Sequence, residues 1–261
     1  MGTLVKTAEL LISEGIAKNT QKAYSRGLRS LQEFRRQYNL PDVWPVPLNH
    51  VIWYIAFHHI KGSAFSTITN YLSAISYFHK IANFEDQTKQ FIVKNMLNGY
   101  KKNKLQKDSR FPVTLDILVK FPQALNIVCQ TQYEAALFKA AFYLSFFGLL
   151  RISELVFNVD APMKTLSNDD IWISHNKLYV TIKYSKNDQC GKGVTLIIDP
   201  ITNNEICPVR ATIHYKRLRP ESVPHFFCHA NKSPLTRYQF SSVLGKVIAN
   251  IGLPGTTGLI V

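Results

Sequence analysis

The chain holds 261 residues, with 31 Lys and Arg against 17 Asp and Glu, a formal net charge of +14. Hydrophobic residues make up 46% and aromatic residues 12%, which excludes a wholly disordered chain, and at roughly 100–200 residues per domain the length suits one large or two modest domains. The four cysteines (Cys129, Cys190, Cys207, Cys228) lie far apart without a C-x-x-C pair, which excludes a zinc ribbon or a small disulfide scaffold and suits a reducing compartment.

No targeting segment shows at the start of the chain, and Met1–Lys6 lacks the pattern of a myristoylation signal. From Thr20, a candidate N-cap, apolar residues recur at Tyr24, Leu28, Leu31, Phe34 and Tyr38 with helical spacing, while Lys18, Lys22, Arg26, Arg29, Arg35 and Arg36 fall on the opposite face. Leu40-Pro41 ends this helix, and Pro45 and Pro47 mark a stiff connection. A second helix is predicted over 49–60. Ser66 or Thr67 starts a third, with Ile68, Tyr71, Leu72, Ile75, Phe78 and Ile81 on one side, and a fourth covers about 88–100. The fourth runs into the densest basic cluster: Lys101, Lys102, Lys104, Lys107 and Arg110. Residues 1–104 thus form a helical domain, and 105–112 a basic linker.

Beyond the linker, Thr114 looks like an N-cap for a helix over 115–125, and 133–157 reads as one long apolar helix containing Gly148. Its most apolar run, Ala140–Leu150, has 11 residues, short of the about 20 that span a bilayer, so it is a core helix and no membrane partner is expected. The period then changes. Residues 170–173, 177–184 and 194–198 are β-branched or alternating runs that predict a three-stranded antiparallel sheet. Helices return at 207–218, with Pro208 in the first turn, and at 237–251, with Gly252 as C-cap glycine. The fold class is mainly α with a small antiparallel sheet.

Residues 1–110 carry 16 basic against 7 acidic residues, and residues 111–261 carry 15 against 10. A field of this sign favours polyanions, above all nucleic acid, although acidic membranes and ribosomal partners attract the same balance. Two motifs could carry chemistry. Arg151, in an apolar helix and three residues before Glu154, either meets an anion or forms an internal pair that joins helices. The segment Tyr184–Gly193 between two strands is either a solvated hairpin tip or a loop holding Lys186 over a ligand. Lys192-Gly193 lacks Walker spacing, so a nucleotide site is rejected.

Taken together, the two motifs resemble the tyrosine recombinases, or phage integrase family. "FKAAFYLSFFGLLRISELVF" (138–157) is similar to that family's first conserved box, and "KLYVTIKYSKNDQCGKGVTLIID" (177–199) to the hairpin bearing its lysine. "CPVRATIHYKRLRP" (207–220) and "FFCHANKSPLTRYQFSSVLGKVIANIGL" (226–253) follow in the family's order. "NTQKAYSRGLRSLQEF" (19–34) and "FSTITNYLSAISYFHK" (65–80) resemble its helical, SAM-like core-binding domain. The wording is nearest the DIRS-like and Crypton-like recombinases of eukaryotic mobile elements.

The resemblance implies DNA recombination and integration by a nucleophilic tyrosine that forms a 3′-phosphotyrosyl link, without a metal or cofactor. It implies that Arg151 stabilises charge at phosphorus, that Lys186 protonates the leaving 5′-oxygen, and that Glu154 supports Arg151. Double-stranded DNA is the implied partner, with self-association upon it; DNA contacts are expected at Lys18, Lys22, Arg26, Ser66, Thr67, Lys101, Lys102 and Lys104. Residues 113–261 correspond to a catalytic domain that stops where the family's His-x-x-Arg box begins, so the chain is expected to be C-terminally truncated and unable to cleave. No tyrosine lies beyond Tyr238, and His214-x-x-Arg217 stands before the box's expected place, a chance match. Localisation would be nuclear in a eukaryote and otherwise cytoplasmic, never secreted. The rival readings are a non-catalytic DNA-binding module derived from a mobile element and a helical interaction protein that meets no nucleic acid.

Overall fold

The computed structural model describes residues 1–103, 112–159, 165–184, 192–202 and 205–253. The chain divides into two compact units, Met1–Lys107 and Asp108–Val261. It is mainly helical, with one three-stranded antiparallel sheet.

The first unit contains α1 (Gly2–Glu14), α2 (Lys18–Gln37), α3 (Leu48–Ile60), α4 (Phe65–Ile81) and α5 (Phe91–Asn103). The stripe of α2 delivers Leu31 and Phe34 to a core with Tyr54, Ile55, Ile68, Leu72, Ile75 and Val93. α2 and α4 approach closely because residue 27 is glycine: a Cβ there would stand 3.1 Å from the Ala74 Cβ and 3.2 Å from the Tyr71 Cα.

Several boundaries differ from expectation. α1 lies in a stretch where no element was expected. The N-cap of α2 is Ala17, and Thr20 sits inside the first turn, its amide donating to the Ala17 carbonyl. Arg35 does not share the solvent face. It is buried, paired with Asp42, and donates to the Val43 carbonyl at 2.9 Å, because the chain after α2 folds back over it. α4 starts one residue early, with Ala64 as N-cap. Thr88 belongs to a short 3₁₀ turn capped by Asp86, so α5 begins only at Phe91.

The second unit opens with α6 (Leu115–Leu118) and α7 (Phe121–Val128), where a single helix was expected. Pro122 cannot donate to a preceding turn, so it fits the start of α7 and not a helix interior. Thr131 then caps α8 (Gln132–Phe147), whose residues Leu137, Phe138, Ala141 and Leu144 are fully covered. The long helix expected over 133–157 ends at Phe147. The next element is a single turn, α9 (Ile152–Leu155).

Strands β1 (Ile171–Ser174), β2 (Lys177–Ile182) and β3 (Val194–Ile198) follow in the order β1-β2-β3. Their inner face buries Ile171, Leu178, Val180 and Ile198. Across the outer face, Trp172 opposes Tyr179, with rings stacked at 5.3 Å, and Tyr179 opposes Ile197. His175 and Asn176 both have positive φ, as a two-residue hairpin turn requires. α10 (Pro208–Leu218) packs against α8, and α11 (Arg237–Asn250) starts with a capping box between Thr236 and Gln239. Cys129, Cys207 and Cys228 are free thiols. Among the described residues no helix is long and apolar enough to cross a membrane.

Candidate nucleic-acid interface

The Phe147–Arg151 segment explains where Arg151 stands. α8 is closed by the Gly148 amide donating to Leu144 (2.9 Å) and the Leu150 amide donating to Ser145 (3.0 Å). A Cβ on Gly148 would lie 2.7 Å from the Leu144 carbonyl oxygen, closer than real Cβ atoms come, so this turn needs glycine. Leu149 takes a positive φ of 50°, and buried Leu150 and Leu155 pin the turn to the core. Arg151 emerges as the N-cap of α9, in extended conformation, with its side chain 50% exposed. It is therefore not an arginine within an apolar helix, and that expectation is corrected: the helix breaks first and puts the guanidinium at the surface.

Glu154 is the buried half of the pair. One carboxylate oxygen accepts from the Arg151 backbone N–H at 2.9 Å, the other from its Nη1 at 3.1 Å. The Glu154 carboxylate, accepting from both, fixes backbone and side chain of Arg151 together. The remaining guanidinium donors have no hydrogen-bond partner among the described residues. A planar cation, held on one edge and open on another, is suited to an anionic oxygen.

Lys186 lies outside the described residues. What is described is the base of its hairpin, through residues that sequence pattern alone does not single out. Lys183 directly follows β2 and pairs with Asp170 at 2.8 Å; the other oxygen of this buried carboxylate accepts from the Ser167 N–H (2.8 Å) and hydroxyl (2.7 Å). The Leu166 N–H, one residue before Ser167, donates to the Glu154 carbonyl at 3.0 Å. A continuous chain of polar contacts and backbone thus joins the Arg151 turn to the root of the β2–β3 hairpin. The signal was present in the acidic Asp169-Asp170 before β1 and in a lysine at the strand end, but such residues are ordinary at strand ends.

His214 and Arg217 are exposed on α10. Between them Tyr215 is fully buried; its hydroxyl accepts from the Cys228 N–H at 2.9 Å and donates to nearby carbonyls, and burial pushes its pKa far up. It is a structural phenol. Tyr238, at the start of α11, is 81% exposed.

In the first unit, Lys18, Lys22, Arg26 and Arg29 are exposed along one face of α2, and Gln21, Lys22, Ser25, Arg26 and Arg29 line a shallow groove. Ser66 is exposed in the first turn of α4, but the Thr67 amide donates to the Ala64 carbonyl at 3.0 Å. The Thr67 amide is thus engaged within the turn, while Ser66 is open to solvent. Lys101 and Lys102 are exposed in the last turn of α5, where cations suit the helix dipole. Lys104 lies outside the described residues. Among the described residues no group of three or more His, Cys, Asp or Glu side chains is placed to hold a metal ion.

Residues 7–86 match the phage integrase N-terminal SAM-like domain. The chain is 24% identical over 208 residues to an integrase/recombinase xerD homolog of Selenomonas ruminantium, an alignment covering 78% of this chain and 57% of that protein. The fold is similar to that of a lambda integrase dimer bound to a COC′ core site, with a TM-score of 0.61, 15% identity, and coverage of 96% of this chain and 81% of that one. It is also similar to the Tn1549 transposon integrase in complex with circular intermediate DNA, with a TM-score of 0.59, 17% identity, and coverage of 92% and 77%. The XerH site-specific recombinase bound to difH gives 0.56, 14%, 89% and 62%. The family match lies within the first unit. At such identities the structural likeness fixes the integrase fold, and the chain spans 57% of the length of the curated relative.

Proposed function

We propose that this chain is a duplex-DNA-binding protein of the tyrosine recombinase type, related to mobile-element integrases of the DIRS-like and Crypton-like kind. Arg151 presents its guanidinium to a backbone phosphate, Glu154 holds it, and Lys186 on the hairpin reaches the same phosphate. Residues 1–104 form the core-binding domain, 105–112 the basic linker and 113–261 the catalytic-type domain. Lys18, Lys22, Arg26, Ser66, Thr67, Lys101, Lys102 and Lys104 contact the DNA backbone. The carrying observation is the Arg151 corner: a half-exposed guanidinium, fixed by a buried carboxylate and with donors to spare, on an integrase fold.

Phosphate contacts release condensed counterions, so log affinity for a duplex should fall linearly with log salt, by about 0.9 per contact. Replacing Lys101, Lys102 and Lys104 together by Ala should flatten that slope by about 2–3. An unchanged slope would remove the linker from the interface, and a salt-independent affinity would remove DNA as the partner.

The proposal extends to chemistry. The reaction of this family begins at a tyrosine, and Tyr215 is buried with its hydroxyl accepting from the Cys228 N–H, so it is not placed to be a nucleophile. The non-cleaving reading holds that these 261 residues bind DNA without forming a covalent link, as a non-catalytic module would. A 5′-labelled suicide duplex should yield no protein–DNA adduct that survives denaturation. A stable adduct would overturn the non-cleaving reading while leaving the DNA-binding one intact.

A further inference from the structure

None of the thirteen residues of α1 is buried, although Leu4, Val5, Ala8, Leu11 and Ile12 recur at helical spacing and form one apolar stripe. Leu4 is 70% and Leu11 63% exposed. The described tie between α1 and the rest of its unit is polar and sits at one end, where the Gln21 side chain donates to the Ser13 carbonyl. A helix of this length is marginal in water without a covered face, because nucleation is costly and packing supplies most helical stability. A partner that covered the stripe would stabilise the helix.

Charge selects the occupant. α1 holds one lysine, Lys6, against Glu9 and Glu14, in a chain whose total is +14. Amphipathic helices that lie on anionic membranes are rich in Lys and Arg on the polar face, and DNA repels carboxylates, so neither suits this helix. Glu14 stands in the last turn, the negative end of its own helix dipole, where an acid is unfavourable. The first turn of α1 has no side-chain cap and no acidic residue. An antiparallel pairing of two copies, centred on the small Ala8, lays Leu4 of each against Ile12 of the other and Leu11 against Val5. It also brings each Glu14 beside the uncapped, positive end of the second helix.

We propose that α1 is a self-association element whose apolar stripe is covered by the antiparallel α1 of a second copy of this chain. The contact is small beside the about 20–30 residues a side of a standard interface, so it is a weak one that forms at high local concentration. It deepens the DNA-binding reading in one respect, because a duplex gathers copies, but it is testable without DNA.

Sedimentation velocity of the full chain across a wide concentration range, without DNA, should show an average mass rising from 29.8 kDa toward twice that value. Leu11→Glu should weaken association about tenfold or more, with no change in unfolding midpoint because α1 buries nothing. Glu14→Gln leaves the stripe intact and should weaken association by about 2–5-fold at low salt. A wild-type chain that stays monomeric, or a Leu11→Glu chain that associates like wild type, would overturn the inference, as would binding of wild type to anionic vesicles through α1. Duplex binding, measured in parallel, should survive Leu11→Glu. If wild type failed to bind duplex at all, the DNA reading would fall while the α1 result stood.

Discussion

Removing the Glu154 side chain leaves the Arg151 backbone N–H and one guanidinium donor without their acceptors, and takes a buried carboxylate out of the turn that follows α8. Arg151 is half exposed and contributes little packing, so the two residues should separate in experiment. Arg151→Ala should lower duplex affinity by about tenfold, the worth of one charge-assisted hydrogen bond, with the thermal midpoint nearly unchanged. Glu154→Ala should lower affinity and also cost about 1–3 kcal/mol of stability through loss of the cap and of buried hydrogen bonds. Thermal unfolding beside a binding isotherm distinguishes them; equal destabilisation by both variants would mean that Arg151 is an internal pair and no more. Gly148→Ala is the third residue-scale case. Its Cβ would meet a helix carbonyl that cannot turn aside, so a loss of about 1–3 kcal/mol and a misplaced Arg151 are expected.

At the scale of elements, the basic face of α2 is the most regular charged feature. Substituting Lys18, Lys22 and Arg26 by Ala should reduce the salt slope of duplex binding by up to about 0.9 for each phosphate no longer neutralised, and leave circular dichroism unchanged because all three side chains are exposed. Much of the element order was legible because it rests on period. The α2 stripe, the α4 stripe and the alternation in β1 and β2 each pointed to the element that forms. The errors share a cause: local breaks override a continuing apolar pattern. Residues 140–150 stay apolar through Gly148-Leu149-Leu150, so periodicity alone carried the helix past a turn set by backbone sterics. Pro122 split another helix in the same way. Arg35 was misplaced because its partner Asp42 comes from the following turn, which helical spacing does not register. α1 had its stripe in plain view, but nothing in spacing tells whether a stripe has a neighbour. At the site, the Arg151–Glu154 pair was readable from an i, i+3 spacing, whereas the Lys183–Asp170–Ser167 anchor depends on two segments that only the sheet brings together.

For the whole molecule, the two units differ in how they meet acid. The first buries three histidines whose pKa values burial lowers: His50, His58 and His79. His58 is the clearest. Its Nε2 meets the Ser30 hydroxyl at 3.2 Å and its Nδ1 the Ser63 hydroxyl at 2.9 Å, between the rings of Tyr54, Phe57 and Tyr71. Burial first, and then the nearby Lys61 ammonium, brings its pKa down to about 4 from the ordinary 6.5. At His79 burial outweighs the opposing pull of Asp86. In the second unit burial likewise lowers the pKa of His225. The sign follows from linkage. Between pH 6.5 and about 4 the unfolded chain binds a proton that folded His58 refuses, so stability is fully present above 6.5 and falls as pH drops through that window. His58 alone accounts for up to about 3 kcal/mol of loss by the lower end. The first unit should therefore unfold before the second on acidification from pH 7 to 5, seen as loss of the signal from Trp44 and Trp53 ahead of that from Trp172. His58→Gln keeps a hydrogen-bonding side chain but cannot take up the proton. It should be less stable than wild type at pH 7.5 and lose that deficit by pH 5. Parallel pH profiles for the two proteins would place the acid sensitivity elsewhere, in His79 or in the carboxylates.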